Sequence, residues 1–200
     1  MRLFVVAGET SGDTHAAALL ADLHTLRPDL RVSGLGGPKL HALCPEVEDW
    51  THEAAVVGLW DVLRRYGWFR RKFHQALDRI AQEKPDAVLF VDYPGFNLRL
   101  AKALQPHRPQ LKLLYYISPQ VWAWNRARLP RMARWLDRMF CIFPFEKELY
   151  EKSGLHTDFV GHPMAAKLAI LGDEARNPDL FALLPGSRDR EVRKIFPALL

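Results

Sequence analysis

Short strand-length runs alternate with segments of helical spacing along most of the chain, and no other feature constrains the fold as tightly. Strand candidates are residues 3–7, 31–35, 87–91, 111–117, 139–143 and 156–160. Between them, residues 14–26, 39–43, 56–81, 98–104, 127–136 and 145–152 carry apolar positions at helical spacing. A break is expected near Gly67, and irregular chain over 45–54. Runs such as Leu3-Phe-Val-Val-Ala7 and Ala87-Val-Leu-Phe-Val91 are apolar throughout, as in strands buried on both faces. The pattern predicts an α/β fold, a Rossmann-like parallel sheet with helices on both faces. Right-handed crossovers then put every strand-to-helix loop on one sheet edge, where α/β proteins bind ligands.

The pattern is interrupted at 171–178, a polar, turn-forming stretch, and then restarts. Residues 180–184 read as a strand, Pro185-Gly-Ser-Arg188 as a turn and Asp189 onward as a helix. The expected domains are residues 1–172 and a linker plus first βα unit over 173–200. One strand and one helix cannot enclose a core. The chain therefore reads as a fragment of a longer protein, or its tail docks elsewhere. No run approaches the roughly 20 apolar residues of a membrane span, and the N-terminus lacks a signal-peptide layout. Cys44 and Cys141 are isolated, which suits a reducing cytoplasm. With 28 basic against 23 acidic residues, the chain favours anionic partners. It carries no helix-turn-helix, zinc-finger or RNP-type signature, so nucleic acid is not the expected one.

Six stretches carry candidate chemistry. In Gly8-Glu-Thr-Ser-Gly-Asp13, Gly8 ends the first strand and Gly12 with Asp13 is expected to close a tight turn before a helix. Gly8, Glu9 and Ser11 are candidate ligand contacts at that helix N-terminus, although neither G-x-G-x-x-G nor a P-loop is present. Asp92 follows the buried 87–91 run. It is either a general base whose pKa is raised by desolvation, or a turn or helix cap; Asn97 is placed as the cap of the next helix. Ser118, Gln120 and Trp122 lie in an unusual loop with Trp124, offering aromatic faces and hydrogen bonds to a sugar or base. Arg126, Arg128, Arg131, Arg134 and Arg138 follow, as a solvated basic face or an anion contact. Val56, Leu59, Trp60, Leu63 and Tyr66 form a stripe flanked by Arg64, Arg65, Arg70, Arg71 and Lys72. That is the layout of an interfacial helix on anionic lipid, or of a core helix with a charged outer face. Phe69, Phe73, Leu77 and Ile80 are assigned to the core. His162, in Gly-His-Pro, is a phosphate or acid/base candidate or a structural turn residue, and Ser187 and Arg188 suit a diphosphate. No Asp-x-Asp pair or metal-ligand spacing occurs, so neither metal nor cofactor is expected.

Six motifs stand in order along the chain: Gly8-Glu-Thr-Ser-Gly-Asp13, Asp92-Tyr-Pro-Gly-Phe-Asn97, Ser118-Pro-Gln-Val-Trp-Ala-Trp124, Phe145-Glu-Lys147, Gly161-His-Pro163 and Leu184-Pro-Gly-Ser-Arg188. In these the chain resembles the lipid-A-disaccharide synthase family. The resemblance implies a GT-B architecture of two Rossmann-like domains. It implies an inverting, metal-independent transfer from UDP-2,3-diacylglucosamine to 2,3-diacylglucosamine 1-phosphate (lipid X), giving lipid A disaccharide 1-phosphate and UDP. Asp92 is then the base, Glu9, Ser11 and Asn97 line the acceptor side, and Arg188 faces the departing UDP. The 56–66 stripe meets acyl chains or the cytoplasmic face of the inner membrane, as a peripheral contact. The family continues well past Leu200, so little activity is expected of these 200 residues alone. A homodimer is left open. The competing readings are a non-catalytic membrane-surface lipid-binding module and another GT-B transferase with a lipid-linked acceptor.

Overall fold

The computed structural model describes residues 1–54, 66–165, 179–186 and 189–200. They fall into two compact units, residues 1–165 and residues 166–200.

The first unit is built on β1 (Arg2–Ala7), β2 (Arg31–Gly36), β3 (Val47–Asp49), β4 (Ala87–Val91), β5 (Lys112–Tyr116), β6 (Arg138–Cys141) and β7 (Thr157–Phe159). They form a sheet of order β3-β2-β1-β4-β5-β6-β7, in which every pair is parallel. The helices are α1 (Thr10–Leu26), α2 (Pro38–Leu43), α3 (Thr51–Ala54), α4 (Tyr66–Glu83), α5 (Pro94–Ala103), α6 (Val121–Trp124), α7 (Leu129–Trp135) and α8 (Pro144–Glu151). β4 is buried at all five positions, as its unbroken apolar run requires. Alternate residues of the central strands feed two cores. Leu3, Val5, Ala7, Leu89 and Val91 pack with Ala16 and Leu20 of α1 and Leu40 of α2. Phe4, Val6, Val88 and Phe90 pack on the other face with Ala76 and Ile80 of α4, Leu100 of α5 and Met132 of α7. This is the α/β sheet covered on both sides that the alternation predicts.

Several local expectations are corrected. Gly12 and Asp13 do not close a turn: α1 already begins at Thr10, and both are buried within it. The Asp13 carboxylate accepts hydrogen bonds from the N–H groups of Gly37 (2.8 Å), Leu40 (3.0 Å) and Lys39 (3.1 Å), so it caps α2 across the fold. α5 starts at Pro94, whose fixed φ suits a first helical position, and Asn97 therefore lies inside the helix rather than capping it. The break expected near Gly67 falls where α4 begins, at Tyr66, and residues 55–65 before it lie outside the described residues. Residues 45–54 hold β3 and α3; a three-residue edge strand with one buried position is too short to register as a pattern.

In the second unit, α9 (Asp189–Leu199) is the helix expected after the turn. Residues 180–184 are not a strand in the structure, because no described strand lies beside them to complete their hydrogen bonds. Leu180, Phe181 and Leu184 are exposed.

Candidate active site at the sheet switch point

From β1 the chain turns toward β2 by way of α1, and from β4 it turns toward β5 by way of α5. The loops after β1 and β4 therefore diverge, leaving a crevice at the carboxyl ends of these two neighbouring strands. Gly8 and Glu9 line one side, Asp92 and Tyr93 the other.

The two loops fit closely. A Cβ on Gly8 would stand 2.2 Å from Cδ1 of the Tyr93 ring, so only glycine allows this approach. Tyr93 is held at its far end by its hydroxyl, which donates to the Ala54 carbonyl at 3.2 Å. Asp92 and Tyr93 both adopt left-handed backbone, with φ of 47° and 50°. Such strain persists where surrounding contacts over-determine it, and here they do. The Asp92 N–H donates to the Tyr116 carbonyl at 3.0 Å. Its own carbonyl accepts from the Tyr115 hydroxyl at 2.6 Å and from Asn97 Nδ2 at 2.7 Å. Asn97 is fully buried, and its amide also reaches the Val6 and Val91 carbonyls at 3.4 Å. It thus ties the ends of β1 and β4 together behind the crevice. Ile117, a β-branched residue at the end of β5, has φ of 64°, a third strained position on this edge.

Burial pushes the Asp92 carboxyl up from 3.8 to about 6; the negative charge of Glu9 adds to the rise, and a backbone hydrogen bond from Tyr93 opposes it. A carboxylate so tuned is still ionised at neutral pH and is a stronger base than an ordinary aspartate. Burial and Glu9 also push the Tyr93 phenol up to about 12, so it stays protonated.

The remaining predicted residues fall into a second group on the same edge. Ser118 is buried beneath its loop, where the Tyr150 hydroxyl donates to the Pro119 carbonyl at 2.7 Å. Gln120 is exposed. Trp122 donates from Nε1 to the fully buried Glu146 at 3.0 Å and meets Phe145 edge-on at 5.1 Å. His162 packs near Phe143, with ring centroids 5.9 Å apart, and its Nδ1 accepts the Met164 N–H at 3.2 Å. β7, which leads to His162, is three strands from β4, a separation of about 14 Å. Ser11 is exposed on the first turn of α1. Tyr66 is exposed at the start of α4, whereas Val56, Leu59, Trp60, Leu63, Arg64 and Arg65 lie outside the described residues, as do Ser187 and Arg188. Among the described residues no helix is long and apolar enough to cross a membrane.

The sequence reading missed Tyr93, Tyr115 and Trp50 as parts of this site. Trp50 is buried, and its Nε1 donates to the Ala7 carbonyl at 2.7 Å, at the very end of β1. The signal available was Tyr93 itself, the large residue beside Asp92 in a motif already singled out.

A family model described as lipid-A-disaccharide synthetase matches residues 3–200. Among relatives, lipid-A-disaccharide synthase 1 of Legionella pneumophila (strain Lens) is 41% identical, with 100% of this chain and 54% of that protein covered. The lipid-A-disaccharide synthase of Geobacter metallireducens is 40% identical, with the same coverage. That of Coxiella burnetii (strain Dugway 5J108-111) is 37% identical over 99% of this chain and 54% of its own length. The chain spans about half the length of the curated relatives it matches. The family model runs through every one of the six motifs, including both loops of the crevice, and on that match the chain belongs to the lipid-A-disaccharide synthase family.

Proposed function

We propose that this chain supplies the acceptor side of an inverting glycosyltransferase that joins UDP-2,3-diacylglucosamine to 2,3-diacylglucosamine 1-phosphate, releasing lipid A disaccharide 1-phosphate and UDP. The observation that carries the proposal is Asp92, a carboxyl raised to about 6 and fixed at the switch point by strained backbone. Asp92 takes the proton of the acceptor's 6-hydroxyl as that oxygen bonds to the donor's anomeric carbon. The bond from this carbon to the diphosphate breaks in the same displacement, and its electron pair leaves with UDP, so the anomeric configuration inverts. Glu9 keeps the base strong through its charge, and Gly8 lets the two loops close on each other. Ser11 sits at the mouth. Ser187 and Arg188 are assigned to the departing diphosphate, whose negative charge an Arg can stabilise.

The domain reading is proposed on the same footing: an acceptor-side Rossmann-like domain over 1–172, then the linker and first βα unit of a nucleotide-sugar domain. The exposed apolar run at 180–184 supports it, since such a run is what a buried strand carries. The 56–66 stripe is proposed to rest on the cytoplasmic face of the inner membrane, where both acylated substrates reside.

The test is Asp92→Asn in a protein of the relatives' full length that carries this chain. Disaccharide formation should fall by about 10²- to 10⁴-fold, the usual worth of a positioned general base, with acceptor binding retained. Turnover within tenfold of the parent would remove Asp92 from the role. A lipid-binding module without catalysis would form no disaccharide in either protein.

A further inference from the structure

Among the described residues, an open groove of about 530 Å³ runs between α4 and α5 beside the crevice. Its walls are the rings of Phe69, Phe73, Tyr93 and Phe96, and exposed Arg70, His74 and Arg99 stand at its margins. The size falls within the roughly 300–1,000 Å³ of small-ligand pockets. We propose that this groove seats one acyl chain of an anionic amphiphile, with the polar head turned toward Asp92; on the proposed function, that amphiphile is the acceptor.

Four features point there. The walls are largely aromatic carbon, which offers a hydrocarbon chain burial. Their charge complements an acidic head, for neither Arg70 nor Arg99 forms an ion pair among the described residues. The floor is pre-formed: Phe96 is buried against Trp50 at 4.9 Å between centroids, and Tyr93 is pinned by Gly8 and Ala54. Finally, Tyr93 is at once a wall of the groove and the neighbour of Asp92, so a chain in the groove delivers its head to the base. Phe69 and Phe73 are partly buried, so this apolar surface is recessed. A bilayer contact calls for protruding side chains, whereas a recess suits one chain taken from the membrane.

The test uses the 200-residue chain and alkyl phosphates below their micellar concentrations, followed by calorimetry. Dodecyl phosphate should bind saturably at one site, and affinity should rise about fourfold per methylene from octyl to dodecyl, the equivalent of about 0.8 kcal/mol per buried CH₂. Gly95 lines the groove, and a Cβ there meets nothing within 4 Å, so Gly95→Trp fills the groove without disturbing the helix. It should weaken dodecyl phosphate more than tenfold while leaving the far-UV spectrum, the urea midpoint of the fold and the co-sedimentation with anionic vesicles unchanged. Arg99→Gln should weaken dodecyl phosphate severalfold but leave the neutral dodecyl maltoside as before. Affinity independent of chain length, or undiminished in Gly95→Trp, overturns the proposal. A parallel loss of vesicle binding in Gly95→Trp also overturns it, by making the groove a bilayer contact. No donor or turnover enters these measurements, so failure of the groove and failure of the transferase reading are separately visible.

Discussion

Replacing Asp92 by Asn should stabilise the protein, by an amount that grows as pH rises from about 4 to about 6 and is complete above that window. The unfolded chain ionises this carboxyl near 3.8 and the folded chain near 6. Between those values the folded state holds the extra proton, so the contribution of Asp92 to stability falls as pH rises through this window. Above about pH 7 the folded protein carries the whole cost of an ionised carboxylate that is largely buried and faces Glu9. At about 1.4 kcal/mol per unit of pKa that cost is about 3 kcal/mol, an upper figure because the loop can relax. Asn removes it, and Asn also tolerates the left-handed backbone at φ 47°. Urea unfolding at pH 8 should therefore show Asp92→Asn more stable than the parent by about 2–3 kcal/mol, with the difference shrinking toward zero at pH 4, where both side chains are neutral. An equal difference at the two pH values, or a less stable variant at pH 8, would refute the electrostatic argument. On the proposed function, a base that lowers stability while serving chemistry is an expected trade.

Three further substitutions test the architecture of the crevice. Gly8→Ala forces the Tyr93 ring out of its place; overpacking of this kind costs about 1–3 kcal/mol, read as a lower urea midpoint with an altered near-UV aromatic signal. Asp13→Ala leaves buried N–H groups at the start of α2 without their acceptor and should cost about 2–4 kcal/mol, with Asp13→Asn losing less because one oxygen remains. Trp50→Phe keeps most of the aromatic packing but removes the N–H that donates to the Ala7 carbonyl, so a loss of about 0.5–1.5 kcal/mol in the same assay is expected.

The sheet and its edge were legible in the sequence for a simple reason. Runs such as Leu3-Phe-Val-Val-Ala7 can be satisfied only by burial on both faces, and parallel strands then force Gly8, Asp92, Ser118 and His162 onto one edge. Strand order was not legible, and strand order decides which of those residues meet. The switch point between β1 and β4 pairs Gly8 and Glu9 with Asp92 and leaves His162 three strands away. Local turn propensity misled at Gly12 and Asp13, because tertiary bonds to Gly37, Lys39 and Leu40 outweigh it. Asn97 looked like a cap because Asn prefers caps, whereas its amide is spent on three carbonyls behind the site. Phe69 and Phe73 read as core, which they partly are, but helical spacing cannot tell a filled core from a groove wall.

The most direct test of the base assignment is the pH dependence of kcat/KM in a protein of the relatives' full length, compared with its Glu9→Gln variant. An acidic limb near pH 6 is expected, reporting Asp92 in the free enzyme. On the proposed function the acceptor carries a phosphate that also titrates near pH 6, so the decisive readout is movement of the limb. With the Glu9 charge removed, the Asp92 carboxyl ionises more readily and the limb should shift to lower pH. A limb that stays in place in Glu9→Gln, or that lies near pH 4 in the parent, would contradict a base raised by burial and by its neighbour's charge.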